Sequence, residues 1–296
     1  MITGFIGLGI MGSRMAANLL ARRYKVIVHN RSQAKAGPLL EEGALWAASP
    51  AEVARQVDVV FTMLSTPKAV HQVALGEQGF LGHMREEAIW VDCSTVNPSF
   101  SRHMATQAAE RKVRFLDAPV AGTKGPAATG ELLFFVGGDP ADVDACRPLF
   151  YAMGRKVIHV GGHGMGTSLK MVFNLLLGEA MLAFSEAIAL GQSLDIPRGQ
   201  LLDLLVGSAV AAPFIAGKRA KIESGDYETD FPLQWMHKDL QLASQTAYEA
   251  GASAPAVNVA KEIYALAARS GWAEKDFSAI YQFLLDSGSA SACAHK

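Results

Sequence analysis

The chain has 296 residues, half of them hydrophobic and 19% charged, with 27 basic side chains against 28 acidic ones and a formal net charge of −1. That length suits one large domain or two ordinary ones, each able to bury a sizeable core. Balanced charge leaves no surplus of cations for a phosphate backbone, so nucleic acid is not an expected partner, and 14 phenylalanines with a mean hydropathy of +0.17 exclude general disorder.

Cys93, Cys146 and Cys293 are too few and too far apart for a disulfide scaffold and fit a reducing compartment. A strand-like apolar run starts at Ile2, which leaves no room for the basic segment of a signal peptide. The most apolar long stretch, residues 171–190, carries Glu179, Ser185 and Glu186 and reads as a buried helix rather than a membrane span. A soluble, cytoplasmic protein with no membrane partner is expected.

In chain order, β-rich runs fall at residues 3–8, 25–29, 58–64, 88–93, 113–116, 132–137 and 156–160. Ala-rich amphipathic stretches at 11–23 and 100–111 lie between some of them. Strand–helix alternation with nearly continuous apolar strands predicts a parallel sheet covered on both faces. Four glycines within residues 161–166 then break the pattern. Thr167 or Ser168 is placed to cap a long helix reaching about Ser193, with Pro197 beyond its end. Apolar residues cover most of its circumference, which makes it central to its domain or to a dimer. Further helices are predicted at 198–206, 233–248, 257–270 and 278–285, and the small, polar tail 287–296 is expected to fray.

Gly7-Leu8-Gly9-Ile10-Met11-Gly12 follows the first strand and opens the first helix. The first glycine permits the tight turn, the second lets the backbone approach a pyrophosphate, and the third permits close helix–strand packing. The N–H groups at the helix start then face the phosphates. Strand, turn, helix and a second strand are all in place, so the pattern predicts a dinucleotide-binding α/β Rossmann domain over residues 1–163 and an all-α domain over 164–296, joined by the long central helix. The second strand ends in His29-Asn30-Arg31-Ser32, where an NAD-selective site would place an acid for the ribose 2′-hydroxyl. Neutral Asn30, cationic Arg31 and Ser32 favour the 2′-phosphate of NADP(H), with NAD(H) also open and a merely solvated Arg31 the alternative.

Three segments can reach the carboxyl ends of the strands: Leu64-Ser65-Thr66-Pro67, Asp92-Cys93-Ser94-Thr95, and residues 117–130. The last reads as a loop, whose Gly122-Thr123-Lys124 offers backbone N–H groups, a hydroxyl and a cation to a small carboxylate; an ordinary surface loop is the alternative. Lys170 lies one turn inside the apolar helix, where a lysine is costly without a partner or a task, and Asn174 shares its face. A lysine there can protonate a carbonyl oxygen as hydride arrives at carbon, or can snorkel to solvent. The eight histidines lack a helical metal-binding pair, so no metal is expected. Cys93 reads as buried packing, Asp117 as a cap on loop N–H groups, and Lys238-Asp239 as a solvated helix pair.

Taken together, these motifs resemble the β-hydroxyacid dehydrogenases related to 3-hydroxyisobutyrate dehydrogenase, and among them the glyoxylate/succinic semialdehyde reductases. Phe231-Pro232-Leu233, Lys238-Asp239-Leu240 and Asp276-Phe277-Ser278-Ala279 extend the match over nearly the whole chain. The resemblance implies homodimers or homotetramers, Lys170 as the catalytic lysine and Asn174 as its supporting amide. It also implies Thr95 beside the nicotinamide, Gly122 and Thr123 around the substrate carboxylate with Ala121 next to them, Phe231 and Asp239 lining the substrate pocket, and Lys238 near the cofactor; Leu64 and Ser65, at their strand end, are expected at the cofactor too. The family's substrate loop usually reads Pro-Val-Ser-Gly, whereas this chain has Pro119-Val120-Ala121-Gly122. One hydroxyl to the carboxylate is thereby lost, worth roughly 1 kcal/mol if buried. The expected activity is NADPH-dependent reduction of small carboxylate-bearing aldehydes such as glyoxylate or succinic semialdehyde. Oxidation of a 3- or 4-hydroxy acid, imine reduction, and a non-catalytic NADP-binding module are the other readings.

Overall fold

The computed structural model describes the backbone of residues 1–292 and the side chains of residues 1–287; Cys293 and the three residues after it lie outside the described residues. Contacts divide the chain into two compact units, Met1–Lys170 and Met171–Lys296.

The first unit runs β1 (Ile2–Ile6), α1 (Gly12–Ala21), β2 (Lys25–His29), α2 (Gly37–Glu41), β3 (Leu45–Trp46), α3 (Pro50–Ala54), β4 (Val59–Thr62), α4 (Pro67–Leu75), β5 (Ile89–Asp92), α5 (Pro98–Ala109), β6 (Arg114–Asp117), β7 (Val120–Ala121), α6 (Lys124–Thr129), β8 (Leu132–Gly137), α7 (Pro140–Met153) and β9 (Gly154–Gly161). The strands form one sheet in the order β3-β2-β1-β4-β5-β6-β8-β7, with β9 on the other edge of β8. Pairing is parallel from β3 through β6. The connections run outward from β1 in one direction to β3 and in the other to β6. The carboxyl ends of β1 and β4 therefore flank the switch point at which open α/β sheets bind ligands.

Successive strand residues point to opposite faces. Phe5, Val28, Phe61 and Val91 pack with Met15 and Leu19 of α1 and Phe150 of α7. Ile6, Ile27, Val60 and Trp90 pack with Val53 of α3, Val70 of α4 and Met104 of α5. Burial on both faces is why these strands read as unbroken apolar runs.

The sheet is not wholly parallel, as the strand–helix alternation predicts. β6 and β7 both run antiparallel to β8. Residues 122–131 between β7 and β8 hold only the short α6, and a parallel crossover needs about a dozen residues or more. Residues 117–130 are thus not simply a loop: they carry β7 and α6.

α8 (Met165–Ser193) starts in the first unit, where Asp117 caps it in place of the expected Thr167 or Ser168. One Asp117 oxygen accepts from the Gly164 N–H at 2.7 Å and the other from the Thr167 N–H at 2.8 Å. Both hydroxyls instead donate to the Gly164 carbonyl, at 3.0 and 2.7 Å. A carboxylate accepts from two amides at once and lies at the positive end of the helix dipole, so it displaces weaker local caps.

The second unit continues α8 and adds α9 (Arg198–Leu205), α10 (Arg219–Ser224), α11 (Leu233–Glu249), α12 (Pro255–Ala267) and α13 (Ile280–Ala292). Its core joins Met181, Phe184 and Ile188 of α8 to Met236 and Leu240 of α11, Tyr264 of α12, and Ile280 and Tyr281 of α13. α8 has the length and composition of a membrane span, yet these residues of it are buried in protein. Of the tail 287–296 expected to fray, α13 covers the part up to Ala292, and the last four residues lie outside the described residues.

Candidate functional site

Gly7 ends β1 with φ of +100°, and its N–H donates to the His29 carbonyl at 3.0 Å. A Cβ at Gly7 would lie 2.4 Å from the Met63 carbonyl oxygen, and one at Gly12 would lie 1.9 Å from the Gly7 oxygen. At Gly9 a Cβ would meet no atom within 4 Å. The outer glycines are thus required by the protein itself, while Gly9 faces open space that a ligand backbone can fill. No side chain caps the start of α1 and its first turn holds no acid. Together with the positive end of the dipole, this fits a dinucleotide pyrophosphate.

Asn30 braces this turn. Its Oδ1 accepts from the Leu8 N–H at 3.0 Å and its Nδ2 donates to the Ser32 carbonyl at 3.0 Å. The Asn30 amide therefore holds the chain, while the exposed Arg31 and Ser32 are available to a 2′-phosphate. Lys35, in the single helical turn Gln33–Ala36, adds an exposed cation that sequence reading passes over because one turn carries no period.

A buried network sets the two strand-end segments beside this turn. Trp90 Nε1 donates to Thr62 Oγ1 at 2.9 Å, and Thr62 Oγ1 donates to Asp92 Oδ1 at 2.8 Å. Asp92 Oδ1 also accepts from the Ser94 N–H at 3.1 Å, and Ser94 Oγ accepts from the Leu64 N–H at 2.9 Å. Leu64 and Ser94 are so held together, with Ser65 exposed and Thr95 half-buried next to them. Burial pushes the Asp92 carboxyl up to about 6, with the neighbouring Asp117 adding to the rise. Burial likewise pushes the Cys93 thiol well above its usual range, which leaves a packing role and no reactive thiolate.

Ala121 is buried in β7 opposite Leu133. Gly122 follows at φ of +122°, where a Cβ would lie 2.9 Å from Leu132 Cδ2, and Thr123 leads into α6. Lys170 on α8 is 8% exposed, so it does not snorkel to solvent. Asn174, one turn further along that helix, is 1% exposed, and its Nδ2 donates to Asp239 Oδ2 at 2.6 Å. The Asn174 Oδ1 is buried with no hydrogen-bond partner among the described residues.

Asp239 is 2% exposed and its Oδ1 lies 2.7 Å from Lys238 Nζ. The pair is therefore not the solvated one its adjacency on a helix suggests: Asp239 points into the unit to meet α8. Phe231 is half-buried, its ring 5.7 Å from that of Phe277, and its N–H donates to Asp276 Oδ2 at 3.2 Å. Lys218 Nζ, buried and 2.9 Å from that same oxygen, balances the carboxylate. This Lys218–Asp276 pair escapes sequence reading because its members are 58 residues apart.

A family model described as the NAD binding domain of 6-phosphogluconate dehydrogenase matches residues 3–161. A second, described as "NAD-binding of NADP-dependent 3-hydroxyisobutyrate dehydrogenase", matches residues 164–284. Glyoxylate/succinic semialdehyde reductase 1 of Arabidopsis thaliana is 34% identical over 282 residues, covering 95% of this chain and 98% of that protein. The chain belongs to the β-hydroxyacid dehydrogenase family.

Another relative of this β-hydroxyacid dehydrogenase is the NAD-dependent L-serine dehydrogenase of Pseudomonas aeruginosa, 36% identical over 283 residues, 93% of this chain and 95% of the relative. The solved structure of Mycobacterium tuberculosis 3-hydroxyisobutyrate dehydrogenase with L-serine matches with a TM-score of 0.87 at 30% identity, covering 96% of this chain and 99% of that one. The β-hydroxyacid dehydrogenase described here is accordingly an NAD(P)-dependent oxidoreductase with a Rossmann unit and a helical unit.

Proposed function

We propose that this β-hydroxyacid dehydrogenase reduces small carboxylate-bearing aldehydes, such as glyoxylate or succinic semialdehyde, with NADPH as the preferred cofactor. One observation carries the reading: the buried α8 pair of Lys170 and Asn174, the latter with an amide oxygen that no described protein group satisfies. A buried acceptor without a partner is costly unless a ligand uses it.

The cofactor, held by residues 7–12, Arg31, Ser32, Leu64 and Thr95, supplies the hydride. The Gly122 and Thr123 amides and the Thr123 hydroxyl hold the substrate carboxylate. Lys170 as an ammonium donates a proton to the oxygen that becomes the alcohol, and the Asn174 Oδ1 accepts a hydrogen bond from the alcohol so formed. Ala121 brings no hydroxyl to the carboxylate, which leaves the backbone amides as its main anchor. The similarity to a named glyoxylate/succinic semialdehyde reductase over 95% of the chain supports this choice of substrate.

Self-association belongs to the same reading. α8 leaves Val172, Leu176 and Leu190 exposed along one strip, which a second copy of the chain would cover.

Steady-state rates with glyoxylate, succinic semialdehyde, 3- and 4-hydroxy acids and a cyclic imine test the assignment. Fastest NADPH turnover with an acid aldehyde is expected. Faster turnover with the imine, or none with any compound, would overturn it.

A further inference from the structure

Asn174 of α8 and Asp239 of α11 form a fixed pair within the helical unit, both almost wholly buried. The amide nitrogen of Asn174 lies 2.6 Å from Asp239 Oδ2. An ionised carboxylate only accepts hydrogen bonds, so the amide must turn its NH₂ towards Asp239. Its oxygen is thereby fixed in the other direction, and that oxygen is the buried acceptor without a partner among the described residues. The second carboxylate oxygen lies 2.7 Å from Lys238 Nζ, which gives Asp239 a counter-charge. Without Asp239 no hydrogen bond among the described residues would bias the amide, and either end could face the ligand.

We infer that Asp239 is a positioning residue rather than a substrate contact: paired with Lys238, it locks the Asn174 amide so that Oδ1 accepts a hydrogen bond from a ligand hydroxyl. The inference rests on the proposed reductase reading and refines it by naming which form of the ligand the site recognises. An alcohol can donate to Oδ1, whereas an aldehyde oxygen or a bare methylene cannot. The site therefore prefers a hydroxy acid over the same acid lacking its hydroxyl, and that preference depends on Asp239 through Asn174.

Dissociation constants of 4-hydroxybutyrate and butyrate for the NADP-saturated enzyme test this. In the wild type the hydroxy acid binds about tenfold more tightly, as a single buried hydrogen bond allows. Asn174→Ala and Asp239→Ala each bring that ratio near one, and the double variant is no worse than Asn174→Ala alone. Asp239→Asn, nearly isosteric, covers the case in which alanine disturbs folding, and it loses most of the preference because its own amide can face either way.

Equal weakening of both acids by the Asp239 variants, with the ratio kept, would overturn the inference. So would losses that multiply in the double variant, since Asp239 would then touch the ligand itself. Wild-type enzyme that turns over acid aldehydes yet binds both acids alike overturns the inference and leaves the reductase reading standing. Absence of aldehyde turnover overturns that reading and the inference with it.

Discussion

Gly12 lies directly against Gly7: a Cβ at position 12 would come within 1.9 Å of the Gly7 carbonyl oxygen, whereas one at Gly9 would meet no atom within 4 Å. The two glycines of one motif thus serve different ends. Gly12→Ala must displace backbone and is expected to cost about 1–3 kcal/mol in stability, read as a lower Tm without ligand. Gly9→Ala should leave the Tm unchanged and weaken NADPH binding in a titration. A Gly9→Ala protein that binds NADPH normally would show that no phosphate approaches there.

Arg31 and Ser32 stand exposed at the end of β2 while Asn30 is occupied by the Leu8 amide. Replacing Arg31 by Ser removes the guanidinium and should reduce the NADPH-to-NADH ratio of kcat/KM by about tenfold. An unchanged ratio would make Arg31 a bystander and move attention to Lys35.

Asp92 has its carboxyl raised from 3.8 to about 6 by burial. The folded protein then binds the proton more tightly than the unfolded chain, so stability falls as pH rises between those two values. The contribution is on the order of 3 kcal/mol, and Asp117, also raised by burial, acts in the same direction. Asp92→Asn should therefore gain stability relative to the wild type as pH goes from 4 to 7 in urea unfolding. A difference that is flat across this range would show that Asp92 ionises without cost.

The strip of Val172, Leu176 and Leu190 on α8 predicts a dimer or tetramer by light scattering, not a 31.5 kDa monomer. Leu176→Glu should shift the mass towards the monomer. A monomeric wild type would contradict this prediction.

The sheet was legible because its strands are buried on both faces, and α8 because it is long and apolar. Shorter elements escaped for a physical reason. β3 and β7 have two residues each, too few to show any period. α3, α4 and α7 carried a different signal: Ser49-Pro50, Thr66-Pro67 and Asp139-Pro140 each pair a capping side chain with a proline at the first helical position. Cap chemistry, rather than periodicity, marks these starts.

Within the site, the glycine turn and the buried position of Lys170 follow from local pattern. The burial of Asp239 does not, since its partner lies 65 residues away and an adjacent Lys-Asp on a helix is ordinarily solvated. The cap on α8 escapes local pattern for the same reason, because Asp117 reaches it from 47 residues upstream.

Lys170 is the proposed proton donor, and the kcat of Lys170→Ala tests that role most directly. With succinic semialdehyde and saturating NADPH, kcat should fall by about 10²–10⁴ while the Kd for NADPH stays within twofold or so of the wild-type value. A variant that keeps most of its turnover would contradict the assignment.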